Sequence, residues 1–244
     1  MMSGESGSQD ADEQHFRSVL DSIRQRMDAA CERAGRSKSD VKLIAVSKTV
    51  NAAQVRAAIN SGVKILGENR VQEAEAKINE LSDLRDKVEW YLIGKLQSNK
   101  ARKAATLFDA VQSVDSEELA LRLDRIANET GKCLPILIEV KLGEESSKAG
   151  ANKAQIFSLI EKVAQLESLE LKGLMTVPPF LDDPEAVRPF FRELRKVRNE
   201  ALRLGLADKN FVDLSMGMSH DFEIAIEEGA TFVRIGTALF GARN

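Results

Sequence analysis

Eight short apolar runs recur along this chain, and most are separated by longer stretches in which apolar residues have helical spacing. Such runs are typical of strands buried on both faces, as in parallel sheets covered by helices. The predicted strands occupy residues 41–47, 64–66, 88–93, 110–114, 134–141, 169–175, 211–214 and 231–235. Eight strands alternating with helices in 244 residues predict an α/β fold, a single (β/α)8 TIM-type barrel. A doubly wound open sheet is the alternative, because the pattern does not settle topology.

The amino-terminal part of the chain has a different character. Residues 1–12 are rich in Ser, Gly and acidic side chains, which predicts a disordered tail. Residues 16–34 then carry apolar side chains at helical spacing, so we expect an extra helix before the first strand. No linker or composition break follows, and residues 13–244 are predicted to form one domain.

Composition argues against several classes of function. A formal net charge of −3 gives no electrostatic basis for binding nucleic acid or membranes. No apolar run reaches the length of a membrane span or resembles a signal-peptide core. With only His15 and His220 as histidines, no metal site is expected. Cys31 and Cys133 are far apart, which favours reduced thiols in a cytoplasmic protein but leaves a disulfide open.

Lys48 stands at the end of the first predicted strand. In barrels the chemistry lies at the carboxyl ends of the strands. Partial burial there would favour the neutral amine, which is a nucleophile toward aldehydes. A lysine that extends from a strand end into water is the alternative, and the local sequence alone favours it.

Two glycine-containing junctions indicate an anion site. Gly217-Met218-Ser219 follows the seventh predicted strand, and Gly236-Thr237-Ala238 follows the eighth. In barrels these loops and the start of a short extra helix often bind phosphate. Gly236 allows close approach of the backbone to an anion, and the hydroxyls of Ser219 and Thr237 can donate hydrogen bonds. Helix caps without a ligand are the alternative.

Arg234 lies in the eighth predicted strand, where alternation directs its side chain into the barrel. A buried guanidinium needs a partner, which would be a ligand in the mouth or, alternatively, Glu68 or Asp213. Together with Lys48 and the two junctions, Arg234 predicts a phosphorylated aldehyde cofactor, and pyridoxal 5′-phosphate (PLP) fits. An arginine beside the pyridine nitrogen would keep it unprotonated and weaken the ring as an electron sink.

Seven segments of the chain resemble the pyridoxal phosphate homeostasis proteins (the YggS/PROSC family), whose barrel is related to the N-terminal barrel of alanine racemase. They are LIAVSKT at 43–49, GENRVQE at 67–73, IGKLQSNK at 93–100, SKAG at 147–150, GLM at 173–175, LSMGMS at 214–219 and RIGTALFG at 234–241. The resemblance spans nearly the whole chain after the predicted tail. It implies Lys48 as the Schiff-base lysine and Arg234 at the pyridine nitrogen. It places Ser219, Gly236 and Thr237 at the phosphate.

The resemblance also implies Asn69 near the ring hydroxyl, Met218 in the pocket wall and Lys148 at the rim. Three positions depart from the family pattern. They are Tyr91 in place of a histidine, Lys95 directly after Gly94, where the family seldom has a lysine, and Lys141 in place of an asparagine. Tyr91 and Lys141 are further candidates for the rim, where a second amine would compete for an aldehyde. Drift within a branch of the family or an altered pocket would explain these changes.

Three functions remain open at this stage. The resemblance implies an intracellular carrier or regulator of PLP without dedicated catalysis, in which PLP-dependent apoenzymes are candidate partners. An amino-acid racemase is the second, with weak side activity left open. Racemases of related fold use a tyrosine from a β-rich second domain, whereas the only tyrosine here, Tyr91, lies on a barrel strand. Carbonyl chemistry by lysines without a bound cofactor is the third, for which the sequence offers only Tyr91, Lys95 and Lys141. We expect a cytoplasmic monomer.

Overall fold

The eight strands form a closed parallel barrel in a computed structural model that describes residues 4–142 and 150–241. Each strand pairs with the next in the chain, and the last pairs with the first. The strands are β1 (Lys42–Val46), β2 (Ile65–Glu68), β3 (Glu89–Leu92), β4 (Ala110–Val114), β5 (Leu134–Glu139), β6 (Leu169–Met175), β7 (Asp213–Met218) and β8 (Phe232–Ile235). The predicted (β/α)8 barrel is confirmed, and closure of β8 on β1 excludes the open sheet.

Helices cover the outside of the barrel. In the described part of the chain they are α1 (Gly4–Arg33), α2 (Ala52–Asn60), α3 (Val71–Glu80), α4 (Ala101–Leu107), α5 (Glu117–Glu129), α6 (Gly150–Val163), α7 (Arg188–Arg203), α8 (Phe222–Glu227) and α9 (Thr237–Phe240). Short 3₁₀ helices occupy Lys38–Asp40, Ser82–Lys87, Ser98–Lys100 and Pro184–Val187. None of the described helices combines the length and apolar character needed to cross a bilayer.

The extra helix before β1 is present and longer than predicted. It begins at Gly4, so residues 4–12, which we predicted as a disordered tail, continue the helix. Adding a turn to an existing helix costs far less than starting one, which allows a polar segment to extend an apolar one. Residues 1–3 lie outside the described residues.

Helix α1 is tied to the two short helices that follow β7 and β8. Arg26 forms an ion pair of 2.6 Å with Glu223 of α8. The ring of Phe16 packs edge-to-face on that of Phe240 in α9, with 5.7 Å between centroids. The extra helix therefore supports the elements that begin at the predicted phosphate junctions.

Strand β7 corrects one prediction. It was predicted to end at residue 214 but continues to Met218, with a register shift against β8 between Ser215 and Met218. Gly217 has a φ of +90°, and a Cβ there would lie 2.5 Å from the Cβ of Ala225 in α8. The glycine, which we placed in the junction after the strand, is thus part of a bulge that lets α8 pack against the strand.

The apolar core has two parts. A small cluster inside the barrel consists of Ile44, Ile65, Tyr91, Ala110 and Phe232. The larger part fills the space between the strands and the surrounding helices. Cys31 is buried and Cys133 is exposed, and both are free thiols.

Candidate functional site

A cavity of about 320 Å³ opens at the carboxyl ends of the strands. Seven predicted cofactor residues line it: Lys48, Asn69, Met218, Ser219, Arg234, Gly236 and Thr237. They come from the ends of four strands (β1, β2, β7 and β8) or the loops after them, so only the closed barrel brings them together. Strand order and alternation predicted the grouping of Lys48, Arg234 and the two glycine-containing junctions, whereas Asn69 and Met218 were implied by the family resemblance.

A second cavity, of about 500 Å³, lies at the opposite end of the barrel beside α1. Its walls include Arg24, Lys38 and Lys42 but none of the predicted site residues. Lys38 is already ion-paired with Asp28 at 3.1 Å. Because barrels carry their chemistry at the carboxyl ends, the smaller cavity is the candidate site.

Backbone N–H groups converge at the junctions after β7 and β8. The amides of Gly236 and Ala238 both point at the Ser219 hydroxyl oxygen, at 3.2 and 3.3 Å. Amides that point toward one position form a site for an anion such as phosphate. The Ser219 hydroxyl oxygen is the acceptor for both amides here. The same donor set fits the phosphate of the expected cofactor.

Arg234 is 4% exposed, and its guanidinium group points into the barrel. It donates to the Ser215 hydroxyl and to the Thr176 carbonyl, both at 2.7 Å. Burial lowers the pKa of Arg234 to about 10, which the charges of Asp221 and Glu139 oppose, so the side chain is still charged at neutral pH.

The alternative ion pairs of Arg234 are not formed. Glu68 instead accepts hydrogen bonds from Lys77 and Ser47, outside the barrel wall. Asp213 accepts from Thr231 at the start of β7. Among the described residues, the buried cation is held by uncharged oxygen atoms alone. A neutral or anionic ligand acceptor is the partner that this arrangement suits.

Lys48 follows β1 by two residues and is half-buried in the cavity wall. This position differs from the alternative of an amine that extends fully into water. No carboxylate in residues 4–142 and 150–241 forms an ion pair with it. Thr49, the next residue, has a φ of +63°, in the left-handed region that non-glycine residues rarely adopt. The backbone therefore turns sharply at the lysine.

Asn69 is held in the wall by the junction after β3. A Cβ on Gly94 would lie 2.5 Å from the Asn69 carbonyl oxygen, so only glycine lets the two segments approach this closely. The Gly94 carbonyl in turn accepts a 2.7 Å hydrogen bond from the Ser113 hydroxyl. Close packing against Asn69 therefore explains why a glycine occupies position 94 in the IGKLQSNK segment.

Sequence reasoning missed several residues of the wall. Asp221 is buried there and accepts a 2.6 Å hydrogen bond from the Met218 amide. Burial raises the pKa of this carboxyl group, although the amide hydrogen bond and the Arg234 charge oppose the shift. Phe180 is 70% exposed at the mouth, with its ring 5.3 Å from that of His220. The Val-Pro-Pro-Phe run at 177–180, shortly after β6, was a usable signal for this part of the wall.

Tyr91 does not lie at the rim, contrary to our prediction. Its side chain is inside the barrel, but its hydroxyl donates to Glu89 at the start of β3, at 2.6 Å. Burial, the hydrogen bond to Glu89 and the charges of Asp213 and Asp109 raise its pKa well above the ordinary value. These acidic groups all lie where strands begin. Tyr91 therefore points toward the amino end of the barrel, away from Lys48.

The lysines predicted at the rim have different outcomes. Lys141 is exposed just after β5, where its charge acts on Glu139. Burial, with the nearby charge of Asp115, raises the pKa of Glu139, and the charges of Lys141, Arg234 and Lys95 oppose the shift. Lys148 lies outside the described residues.

Comparison with known proteins connects this site to a family. Residues 19–244 match the family model described as alanine racemase, N-terminal domain. A pyridoxal phosphate homeostasis protein of Aquifex aeolicus is 44% identical over 227 residues, covering 92% of this chain and 97% of that protein. The corresponding Escherichia coli protein is 39% identical over 229 residues, covering 92% and 95%. The chain belongs to the pyridoxal phosphate homeostasis protein family.

Solved structures agree with this assignment. PipY of Synechococcus elongatus, solved with PLP bound, is 40% identical with a TM-score of 0.81, covering 93% of this chain and 100% of that one. An alanine racemase of Clostridium difficile is 17% identical with a TM-score of 0.67, covering 94% of this chain and 56% of the racemase. The racemase therefore shares the barrel fold alone, whereas the homeostasis family is matched over nearly its full length.

Proposed function

We propose that this chain holds PLP as a Schiff base on Lys48 and acts in intracellular PLP homeostasis, as a carrier or regulator without dedicated catalysis. The observation that carries the proposal is the grouping of three features in one cavity. These are the Lys48 amine, the buried Arg234 cation, which forms no ion pair with the carboxylates that the structure describes, and the amides that converge on Ser219. An aldehyde, a ring nitrogen and a phosphate are the three ligand groups that match them.

Each wall residue then has a defined task. Lys48, in its neutral form, adds through Nζ to the aldehyde carbon, and loss of the aldehyde oxygen as water leaves a C=N bond. Ser219, Gly236 and Thr237 bind the phosphate, while Asn69 lies near the ring hydroxyl and Met218 forms part of the wall. These assignments follow the family resemblance and the lining of the cavity.

The Arg234 side chain favours binding of the cofactor without catalysis. When bound, PLP supplies an electron sink whose strength depends on protonation of its ring nitrogen. A guanidinium that remains charged at neutral pH donates to this nitrogen and keeps it unprotonated. The electron sink is weaker than it would be beside a carboxylate.

Racemase chemistry lacks support in the described part of the site. A racemase of the related fold needs a second base opposite the lysine, and a tyrosine serves there. The only tyrosine of this chain, Tyr91, directs its hydroxyl to Glu89 at the other end of the barrel. The comparison with the racemase, at 17% identity, supports a shared fold and carries no argument about activity.

We extend the proposal to partners and location. A Schiff base forms and hydrolyses reversibly, so Lys48 can release its cofactor to PLP-dependent apoenzymes. We further propose that the chain acts as a monomer in the cytoplasm.

A titration tests the proposal. Adding PLP to the purified protein and to Lys48→Ala should give a new visible absorption band in the first and none in the second. Lys95→Ala is the matched control, since Lys95 is an exposed lysine near the mouth that does not line the cavity. We expect this control to behave as the original protein. An unchanged band in Lys48→Ala, or its loss in Lys95→Ala, would contradict the proposal.

A further inference from the structure

A buried ionic network lies directly behind Lys48, between the barrel wall and α3. Its centre is the ammonium group of Lys77, whose side chain is 9% exposed. This group donates to Oε1 of Glu68 and to Oε1 of Glu73, both at 2.8 Å, and also to the main-chain carbonyl of Ser47. One helix residue outside the barrel is thereby bonded to the residue immediately before Lys48.

The same network reaches the residue immediately after Lys48. Glu73, which shares the Lys77 ammonium, accepts a hydrogen bond from the Thr49 amide. Glu68 accepts a 2.8 Å hydrogen bond from the Ser47 hydroxyl. Both neighbours of Lys48 are therefore fixed to the start of α3 and the end of β2.

The conformation at Thr49 explains why such a restraint is needed. Its φ of +63° is unfavourable for a β-branched residue, and strained backbone persists only where the surrounding structure enforces it. The Glu73 carboxylate on the Thr49 amide supplies this restraint, and Lys77 holds Glu73 in place. Relaxation of this turn would redirect the side chain of Lys48.

We infer that Lys77 is a positioning residue, which fixes the backbone on both sides of Lys48 so that the amine enters the cavity. The inference rests on the proposed function, because it assigns Lys77 a part in the attachment of the cofactor at Lys48. A role in stability alone explains the network less well. Buried ion pairs are often no more stabilising than apolar residues of similar volume. Here, moreover, Oε2 of Glu68 is buried and has no hydrogen-bond partner among residues 4–142 and 150–241.

The test uses Lys77→Met, which keeps much of the side-chain volume and removes the ammonium. We expect the rate of Schiff-base formation with PLP to fall by about tenfold or more, because small displacements of a reacting group reduce rates steeply. In the cofactor-free protein, amide hydrogen exchange at Thr49 should become faster. Arg56→Met is the control. Arg56 lies on the neighbouring helix α2, and its replacement breaks an ion pair with Asp83 at the protein surface. It should change neither quantity.

A second pair of variants keeps the test decisive if Lys77→Met does not fold. Glu73 is 26% exposed, so its replacement is better tolerated. Glu73→Gln keeps an oxygen that can accept from the Thr49 amide and should retain most of the rate, whereas Glu73→Ala should lose it. Equal rates and equal exchange in all folded variants would overturn the inference.

Failure of the proposed function would look different. If the original protein forms no adduct at Lys48, the proposed function fails. Exchange at Thr49 then decides the inference in the cofactor-free protein. Faster exchange in Lys77→Met or Glu73→Ala would still support positioning of this backbone, and unchanged exchange would overturn it.

Discussion

The Arg234 guanidinium donates a 2.7 Å hydrogen bond to the Ser215 hydroxyl inside the barrel. Ser215 in turn donates to the side-chain oxygen of Gln112, also at 2.7 Å. A buried cation is thus oriented by a chain of uncharged groups, which leaves its charge available to a ligand. Arg234 forms no ion pair with a carboxylate in the described part of the chain, and under the proposed function its charge would serve the cofactor ring.

Replacing Arg234 with Met should weaken PLP binding about tenfold to a hundredfold, the range expected for a hydrogen bond to a charged group. Ser215→Ala should have a smaller effect, because the guanidinium keeps its bond to the Thr176 carbonyl. Titration followed by absorbance gives both values. Arg102→Met, which removes an exposed ion pair with Glu129, is the control. Equal affinity of Arg234→Met and the control would contradict the assignment.

The hydroxyl groups of Ser219 and Thr237, in the junctions after β7 and β8, should contribute to binding of PLP but not to binding of an aldehyde without a phosphate. Ser219→Ala and Thr237→Val should each weaken PLP binding about threefold to tenfold, since each removes one hydrogen bond. Binding of pyridoxal, which has no phosphate, should change little in the same variants. Parallel titrations with the two aldehydes measure the difference. An equal loss for both ligands would place the phosphate elsewhere.

Two glycine variants test the close packing around the site. Gly94→Ala would bring a Cβ within 2.5 Å of the Asn69 carbonyl oxygen, and such overpacking costs about 1–3 kcal/mol of unfolding free energy. We expect weaker PLP binding as well, because Asn69 must move. Gly131→Ala is the matched control, with a φ of +64° but no atom within 4 Å of the added Cβ. It should cost about 1 kcal/mol and leave binding unchanged. Urea unfolding and PLP titration measure the two effects.

Stability should depend on pH through Glu228, which forms ion pairs with Arg188, Arg192 and Arg195. Burial alone would raise the pKa of Glu228, but hydrogen bonds from Arg192 and Arg188 outweigh it and hold the pKa below its ordinary value of 4.5. A carboxyl group with a lowered pKa stabilises the fold above its ordinary pKa, and this stability is lost as the pH falls through the lowered value.

The thermal midpoint should therefore fall as the pH is lowered below about 4.5. At neutral pH, Glu228→Gln should reduce the free energy of unfolding by about 2 kcal/mol and thereby lower the thermal midpoint. It should also flatten the acid dependence. Thermal unfolding of both proteins across this range is the measurement, and parallel curves would contradict the prediction.

The barrel could be predicted because strands of a parallel sheet are buried on both faces and so appear as continuous apolar runs. Short elements could not. Helices α8 and α9 contain six and four residues, too few for helical periodicity to appear in the sequence. The bulge at Gly217 was interpreted as the end of a strand, since glycine marks turns and bulges alike.

Part of the candidate site could also be predicted, because strand order and alternation place Lys48, Arg234 and the junctions after β7 and β8 at the mouth. Asn69 and Met218 were assigned by the family resemblance. Tyr91 shows the limit of this reasoning. Its side chain lies inside the barrel, but the direction of the hydroxyl depends on its bond to Glu89, which the sequence pattern does not reveal. Asp221 was missed because its position in the wall depends on the bulge at the end of β7.

Borohydride reduction of the PLP-loaded protein, followed by peptide mapping, tests the central claim most directly. Reduction turns the C=N bond into a stable secondary amine and thereby marks the lysine that held the cofactor. The account predicts one modified residue, Lys48. A modification that maps mainly to Lys95, Lys141 or Lys148, or no modification of a protein saturated with PLP, would contradict it.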